Sequence, residues 1–293
     1  MIKYSIKDLE KLTGIKAHTI RMWEKRHQFL TPDRTMTNIR SYSDKDLRTC
    51  INISILNRNG YKISRIIKMS NGELGKKILE ITENVYDFEV QIETLVVAMS
   101  ELDESKFDKI LSTSILKLGL ENTVTQIIYP FFEKIGVLWQ LGTINPGQEH
   151  FVSNLIRQKL IIAIDGQYVN PLSDAKLFLL FLPSGEYHEI GLLYACYLIK
   201  KAGFKVIYLS QNVPFEDLSE VGQIKTPDFL FTSFTSNISE KELQDYIDQL
   251  SDVFPKQTIF ISGFQIREHN ITFPANVVQI SSSDELHSAI QKL

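Results

Sequence analysis

The chain has 293 residues, 43% hydrophobic and 23% charged, the composition of an ordinary folded protein with room for two or three domains. It has no apolar run near the roughly 18 residues of a membrane span and no signal-peptide core near its start. Its two cysteines, Cys50 and Cys196, are isolated, which excludes a disulfide framework or a Cys-x-x-Cys metal site, so a cytoplasmic protein is expected. The net charge of −3 hides an asymmetry: residues 1–70 hold 15 Lys/Arg against 6 Asp/Glu and the rest hold 17 against 29, a basic head of the kind that binds polyanions on an acidic body.

In the head, Ser5 with Asp8 three residues on predicts a helix start, and Ile6, Leu9 and Leu12 recur at helical spacing. Gly14 breaks this helix. A second follows, with Ile20 and Trp23 on its inner face and His18, Arg21 and Lys25 projecting outward. Two short helices around a glycine turn form a helix-turn-helix pattern, whose second helix enters the DNA major groove. Pro32, Asp33 and Thr35 predict a turn between extended pieces Phe29–Leu30 and Ile39–Tyr42, a ribbon on which Arg34 and Arg40 are placed to grip phosphates. Ser43 then caps a further helix, with Asp44 and Asp46 in its first turn.

This stretch resembles the DNA-binding domain of the MerR family over roughly residues 2–70, the matching positions being Gly14, Thr19, Ile20, Arg21, Trp23, Glu24, Arg26, Arg34, Arg40 and Tyr42. The resemblance implies a winged helix-turn-helix that binds double-stranded operator DNA as a homo-oligomer, dimer or tetramer. The DNA-contacting set it implies is His18, Thr19, Arg21, Lys25, Arg26, Arg34, Arg40 and Tyr42. Gln28 departs from the pattern, standing where the family usually has glycine.

The polar break "SNGEL" at 70–74 is read as a domain boundary. Beyond it the pattern predicts about four helices, near 75–99, 103–119, 121–139 and 147–167, with Pro130 able to open or kink a helix and Asn145–Pro146 marking another start. A bundle that only dimerises is the plain reading. The stretch "GVLWQLGTINPGQEHF" resists it, because Trp139 ends one helix while Glu149 and His150 open the next across a Gly/Pro loop, an arrangement able to roof a ligand.

The final third alternates strands and helices. "AKLFLLFL" (175–182), "FKVIYLS", "DFLFTSF", "TIFISG" and "NVVQI" read as five strands of a flavodoxin-like, doubly wound parallel sheet, in which ligands lie beyond the carboxyl ends of the strands. His188, in "FLPSGEYHEIGLL", follows the first strand's carboxyl end. Its residue environment leaves two readings open, helix-cap residue or metal ligand. In the second, Glu186 accepts a hydrogen bond from one ring nitrogen while the other binds metal, and Gly191 leaves room for a large ligand.

"EYHEIG" resembles the Asp-x-His-x-x-Gly signature of cobalamin-binding domains, with Glu186 in place of Asp, and the resemblance makes His188 the lower ligand to cobalt. Ser233 and Gly263 fit two further positions of that family that contact the cofactor's nucleotide tail. Phe264 departs from it by replacing the second glycine of a Gly-Gly pair. "WQLGTINPGQEHF" resembles the Trp-x9-Glu-His motif of the cobalamin-dependent photoreceptor repressors of the CarH/LitR type, which makes Trp139, Glu149 and His150 the upper cofactor contacts. Gln140 stands where that family can have a second cobalt-binding histidine.

The whole reading is a multidomain α and α/β chain: a winged helix-turn-helix head (1–72), a four-helix bundle (73–170) and a Rossmann-like sheet domain (171–293). The resemblance implies a DNA-binding regulator, a repressor and not an enzyme, controlled by adenosylcobalamin or another cobalamin bound between bundle and sheet domain, with light as a candidate signal. Two alternatives stand beside it. One is a MerR-like regulator whose degenerate C-terminal domain senses another ligand or mediates protein contacts; the other is a corrinoid methyl-carrier enzyme module.

Overall fold

The computed structural model describes residues 3–34, 39–84, 87–140, 144–167 and 174–293. Helix α1 (Ile6–Thr13) is closed by reciprocal Ser5–Asp8 capping at its start and by Gly14 at φ 69° at its end. Helix α2 (Ala17–His27) lacks a side-chain cap of its own. Its first amide, Ala17 N–H, donates instead to the Glu10 carboxylate of α1 at 3.1 Å, which locks the angle of the turn. The ribbon is β1 (Asp33–Arg34) paired antiparallel with β2 (Arg40–Ser41), placing Arg34 opposite Arg40. The first extended piece therefore falls at 33–34 and not at Phe29–Leu30, where Leu30 is buried as a core residue. Thr35 lies outside the described residues. Helix α3 (Asp44–Arg58) starts on Ser43 with a capping box to Asp46, as its sequence signals.

After α4 (Ile63–Ile66) comes α5 (Asn71–Asn84). The "SNGEL" stretch, read as a domain boundary, opens this helix: Ser70 and Glu73 exchange capping hydrogen bonds of 2.8 and 3.3 Å. The helix expected over 75–99 is two helices, because Asp87 caps a fresh start at α6 (Phe88–Glu101). Helix α7 (Glu104–Leu118) follows, then α8 (Leu120–Thr123), a π turn (Val124–Ile128), α9 (Tyr129–Gln140) and α10 (Pro146–Asp165). The π turn stands directly before Pro130, which has no N–H to continue an α-helical ladder. Phe107 and Phe131, both fully buried, meet edge to face at 5.6 Å in the bundle interior.

Two compact units divide the chain, Met1–Leu155 and Ile156–Leu293, so head and bundle share one unit. Within it, α3 and α6 run antiparallel with an ion-paired latch at each end. Arg58 pairs with Glu89 at 2.8 Å and with the fully buried Glu93, and Arg48 approaches Glu101 at 3.9 Å. Lys134 of α9 stands 3.7 Å from the other Glu93 oxygen.

The second unit is a five-stranded parallel sheet in the order β4-β3-β5-β6-β7. Its strands are β3 (Leu177–Leu180), β4 (Lys205–Tyr208), β5 (Phe229–Ser233), β6 (Thr258–Ser262) and β7 (Val277–Gln279). Between them run α11 (Glu189–Lys201), α12 (Phe215–Ile224), α13 (Glu240–Val253) and α14 (Phe264–Glu268), with α15 (Ser283–Ile290) closing the chain. This is the flavodoxin-like order, whose winding reverses between β3 and β5. Leu179, Leu230, Ile259 and Ile261 pack one face against Leu218, Leu243, Ile247 and Leu250 of α12 and α13.

Two predictions follow from these placements. Gln28 holds the left-handed C-cap of α2 at φ 50°, a conformation that costs an L-residue and not glycine. Gln28→Gly is expected to stabilise the protein by roughly 0.5–1 kcal/mol, read as a higher midpoint in urea or thermal unfolding. Burial pushes the Glu93 carboxyl up to about 7, against the opposing pull of Lys134 and Arg58. The folded state then binds this proton more tightly than the unfolded state, so the group's contribution is full below its ordinary 4.5 and is lost as pH rises through about 7. The melting-temperature difference between Glu93→Gln and the unsubstituted protein should therefore shift in favour of the variant from pH 5 to pH 8, and a flat difference would contradict this.

Candidate functional site

Two sites emerge, one in each unit. In the head, His18, Arg21, Lys25 and Arg26 are exposed along α2 and Thr19 is half-buried, while Ile20 alone of that helix is fully buried. The exposed basic side chains present the charged helix face that groove binding requires. Arg34 is exposed on the ribbon. Arg40 and Tyr42 behave differently. The Arg40 Nε donates to Glu24 of α2 at 3.1 Å, and the Tyr42 hydroxyl donates to the other Glu24 oxygen at 3.0 Å. Tyr42 is fully buried, so it holds the ribbon to α2 in the head's core, a correction to its place among the DNA-contacting residues. Glu24 is the residue that makes this joint.

In the bundle, the Trp139 ring is 49% exposed at the end of α9 and so is not a core residue. In the first turn of α10 the Glu149 carboxylate accepts from Ser153 Oγ at 2.5 Å and lies 3.1 Å from His150 Nδ1, the His150 side chain being 73% exposed. The Gln140 side chain lies outside the described set.

In the second unit the chemistry gathers at the winding reversal, where the loops after β3 and β5 meet. Glu186 is buried, and its carboxylate accepts five hydrogen bonds. The amides of Thr235 and Ser236 donate to one oxygen at 2.6 and 2.7 Å. His188 N–H and Ser236 Oγ donate to the other at 3.0 Å each, and His188 Nδ1 lies 2.6 Å from it. Burial pushes this carboxyl up, but the His188 and backbone hydrogen bonds outweigh it and hold it down at about 2. An ionised Glu186 needs a proton on Nδ1, which leaves the lone pair on Nε2. The His188 side chain is 60% exposed at the N-cap of α11 and makes no capping hydrogen bond there. Of the two readings left open by the sequence, the helix-cap role is thus not used.

The next residue, Glu189, is also buried and faces another way. It accepts from Arg157 Nε of α10 at 2.6 Å, from the Tyr208 hydroxyl at 2.9 Å and from Ser210 Oγ. Burial raises its pKa, and the donors, led by Arg157, lower it further than burial lifts it. Sequence reasoning missed Thr235, Ser236, Glu189, Arg157, Tyr208 and Ser210. The one signal available was the second carboxylate of "EYHEIG" itself.

The remaining expected residues separate. A side chain at Gly191 would meet nothing within 4 Å, so no packing demands this glycine and the space beside the first turn of α11 stays open. Gly263 is the opposite case: its φ is 115°, and a Cβ there would fall 2.2 Å from the Phe234 carbonyl oxygen. Its conformation and this close approach account for it without a ligand. Ser233 ends β5 in register with Ser262 of β6, half-buried at the carboxyl edge. Phe264 follows Gly263 with its ring 49% exposed. Among the described residues no group of three or more His, Cys, Asp or Glu could hold a bare metal ion, and no helix is long and apolar enough to cross a membrane. A single imidazole of fixed tautomer beside open space fits a metal that brings its other ligands with it, as a corrinoid does.

Comparisons with known proteins bear on the head and on the bundle. Residues 4–73 match the MerR HTH family regulatory protein model, and residues 91–163 match the B12 binding domain model. The chain is 26% identical over 289 residues to the HTH-type transcriptional repressor CarH of Myxococcus xanthus, covering 96% of each chain. It is 24% identical over 284 residues to the repressor CarA of the same organism, covering 96% of this chain and 94% of that one. A solved structure of the monomethylamine corrinoid protein of Methanosarcina barkeri shares the fold, with a TM-score of 0.53 at 16% identity over 68% of this chain and 96% of that one. The chain therefore carries a MerR-type helix-turn-helix head joined to a B12-binding domain, and along almost its whole length it resembles the CarH and CarA repressors.

Proposed function

We propose that this protein is a transcriptional repressor whose hold on operator DNA is set by adenosylcobalamin. The observation that carries the reading is the Glu186–His188 pair: a five-bonded carboxylate orients an exposed imidazole through its Nδ1, in a chain whose other end is a basic recognition helix. The names of the CarH and CarA relatives support the repressor role. His188 is the proposed metal ligand, with Gly191, Ser233, Gly263, Trp139, Glu149 and His150 as further proposed contacts to the same cofactor. When bound, adenosylcobalamin supplies a cobalt–carbon bond that light can break. The chain's own part is to hold the ring, raise its basicity through Glu186 and present the DNA-binding heads. In a homo-oligomer, linked heads bind far more tightly than single ones, so ligand-dependent assembly would act on DNA through avidity.

Two experiments test this reading. Titration of the purified protein with adenosylcobalamin in the dark should give the absorption spectrum of a histidine-ligated, base-off corrinoid, and His188→Ala should lose that spectrum. Identical spectra for the two proteins would remove His188 as ligand, and an unchanged spectrum and DNA affinity after illumination would remove light as the signal.

For the head, binding to a duplex selected from a random pool should weaken on Arg21→Ala. On Arg34→Ala the slope of log affinity against log salt should drop by about one. Arg40→Ala should instead lower the melting temperature, because it breaks the joint with Glu24. Full DNA affinity in both Arg21 and Arg34 variants would refute the proposed docking face.

A further inference from the structure

Glu186 accounts for the orientation of the His188 ring but not for where its backbone stands. His188 is the residue immediately before α11, so its position follows from where that helix begins. The first residue of the helix, Glu189, is one of the few buried carboxylates among the described residues, and three side-chain donors converge on it. Tyr208 and Ser210 come from the end of β4 and the loop after it, where Ser210 takes a left-handed φ of 68° that serine ordinarily avoids. Arg157 comes from α10. The imidazole is therefore bracketed by two buried carboxylates with different anchors. Glu186 is fixed to the loop after β5, and Glu189 is fixed to β4 and α10.

We propose that Arg157 and Glu189 are positioning residues for His188: an ion-pair clamp that sets the start of α11 and with it the place of the cobalt-binding imidazole. The inference rests on the reading that His188 ligates a corrinoid. The helix that supplies Arg157 is the one whose first turn carries Glu149 and His150, two turns earlier. Arg157 lies in the same compact unit as Glu189 and His188, so the clamp is closed within that unit.

Two readouts test the clamp. Arg157→Met keeps the aliphatic stem of a partly exposed side chain, and Glu189→Gln keeps the size of a buried one, so both should fold. In ligand-free protein labelled with nitrogen-15 in its histidines, nuclear magnetic resonance reads whether His188 Nδ1 carries the proton. Both variants should lose part of that Nδ1–H population, and Arg157→Lys should restore it in part. With adenosylcobalamin in the dark, Arg157→Met and Glu189→Gln should bind roughly tenfold more weakly and with a smaller histidine-ligated fraction at saturation, the scale seen when groups supporting a metal-binding histidine are removed. The double variant should be no worse than either single one, because both remove the same contact. Resonance and binding unchanged from the unsubstituted protein would overturn the clamp while leaving His188 as ligand. Shifted resonances in a protein that binds no cobalamin would uphold the clamp and overturn the functional reading on which the cofactor part rests.

Discussion

The second unit is organised around one buried carboxylate. Glu186 leaves water at the reversal point of a parallel sheet, where a charge without partners would be costly, and it is tolerated because five donors surround it. Two of those donors are consecutive amides of the loop after β5, and a third is a serine hydroxyl from the same loop. The carboxylate thus closes the loops after β3 and β5 against each other before any ligand is considered. The same contacts dictate which nitrogen of His188 keeps its proton. The closure of these loops and the orientation of the His188 ring share one interaction, and a substitution at Glu186 cannot touch one without the other.

The head follows a related economy. Glu24, on the recognition helix, spends both of its oxygens on the ribbon, one on Arg40 and one on Tyr42. Helix and ribbon are therefore presented as a single surface, which is what simultaneous contact with groove and flanking phosphates requires. Behind that surface, α3 is fastened along α6 by Arg58 and Arg48. The charge at the buried end of this fastening is balanced by Lys134, which α9 supplies five residues before Trp139.

Much of this was legible in the chain, and the misses have physical causes. Capping boxes at Ser5 and Ser43, the glycine turn at Gly14 and five apolar strand segments are local signals, and the structure realises each of them. "SNGEL", read as a boundary, also opens a helix, because serine with glutamate three residues on is a capping pair as well as a polar break. Tyr42 was read by its matched position in a family pattern, and only its three-dimensional surroundings reveal that its hydroxyl is turned inward to Glu24. Apart from His188, the partners of Glu186 and Glu189 lie 19 to 50 residues away along the chain from the carboxylates they bind, as in the Tyr208–Glu189 and Ser236–Glu186 contacts. No spacing rule within a single sequence reaches that far. Gly191 and Gly263 look alike in the sequence, yet one faces open space and the other abuts a carbonyl.

That last contrast bears on how chains of this kind are recognised. The glycine at 263 is enforced by a neighbour's backbone, since any side chain there would collide with Phe234. The position after it is under no such compulsion, and a half-exposed phenylalanine occupies it. A search pattern that requires two adjacent glycines at this strand end joins a rule about folding to a preference about something else. It would pass over a chain that obeys the rule alone. The informative pattern at this edge of the sheet is a single glycine, and it certifies the architecture while leaving the ligand to be read from the loop that bears His188.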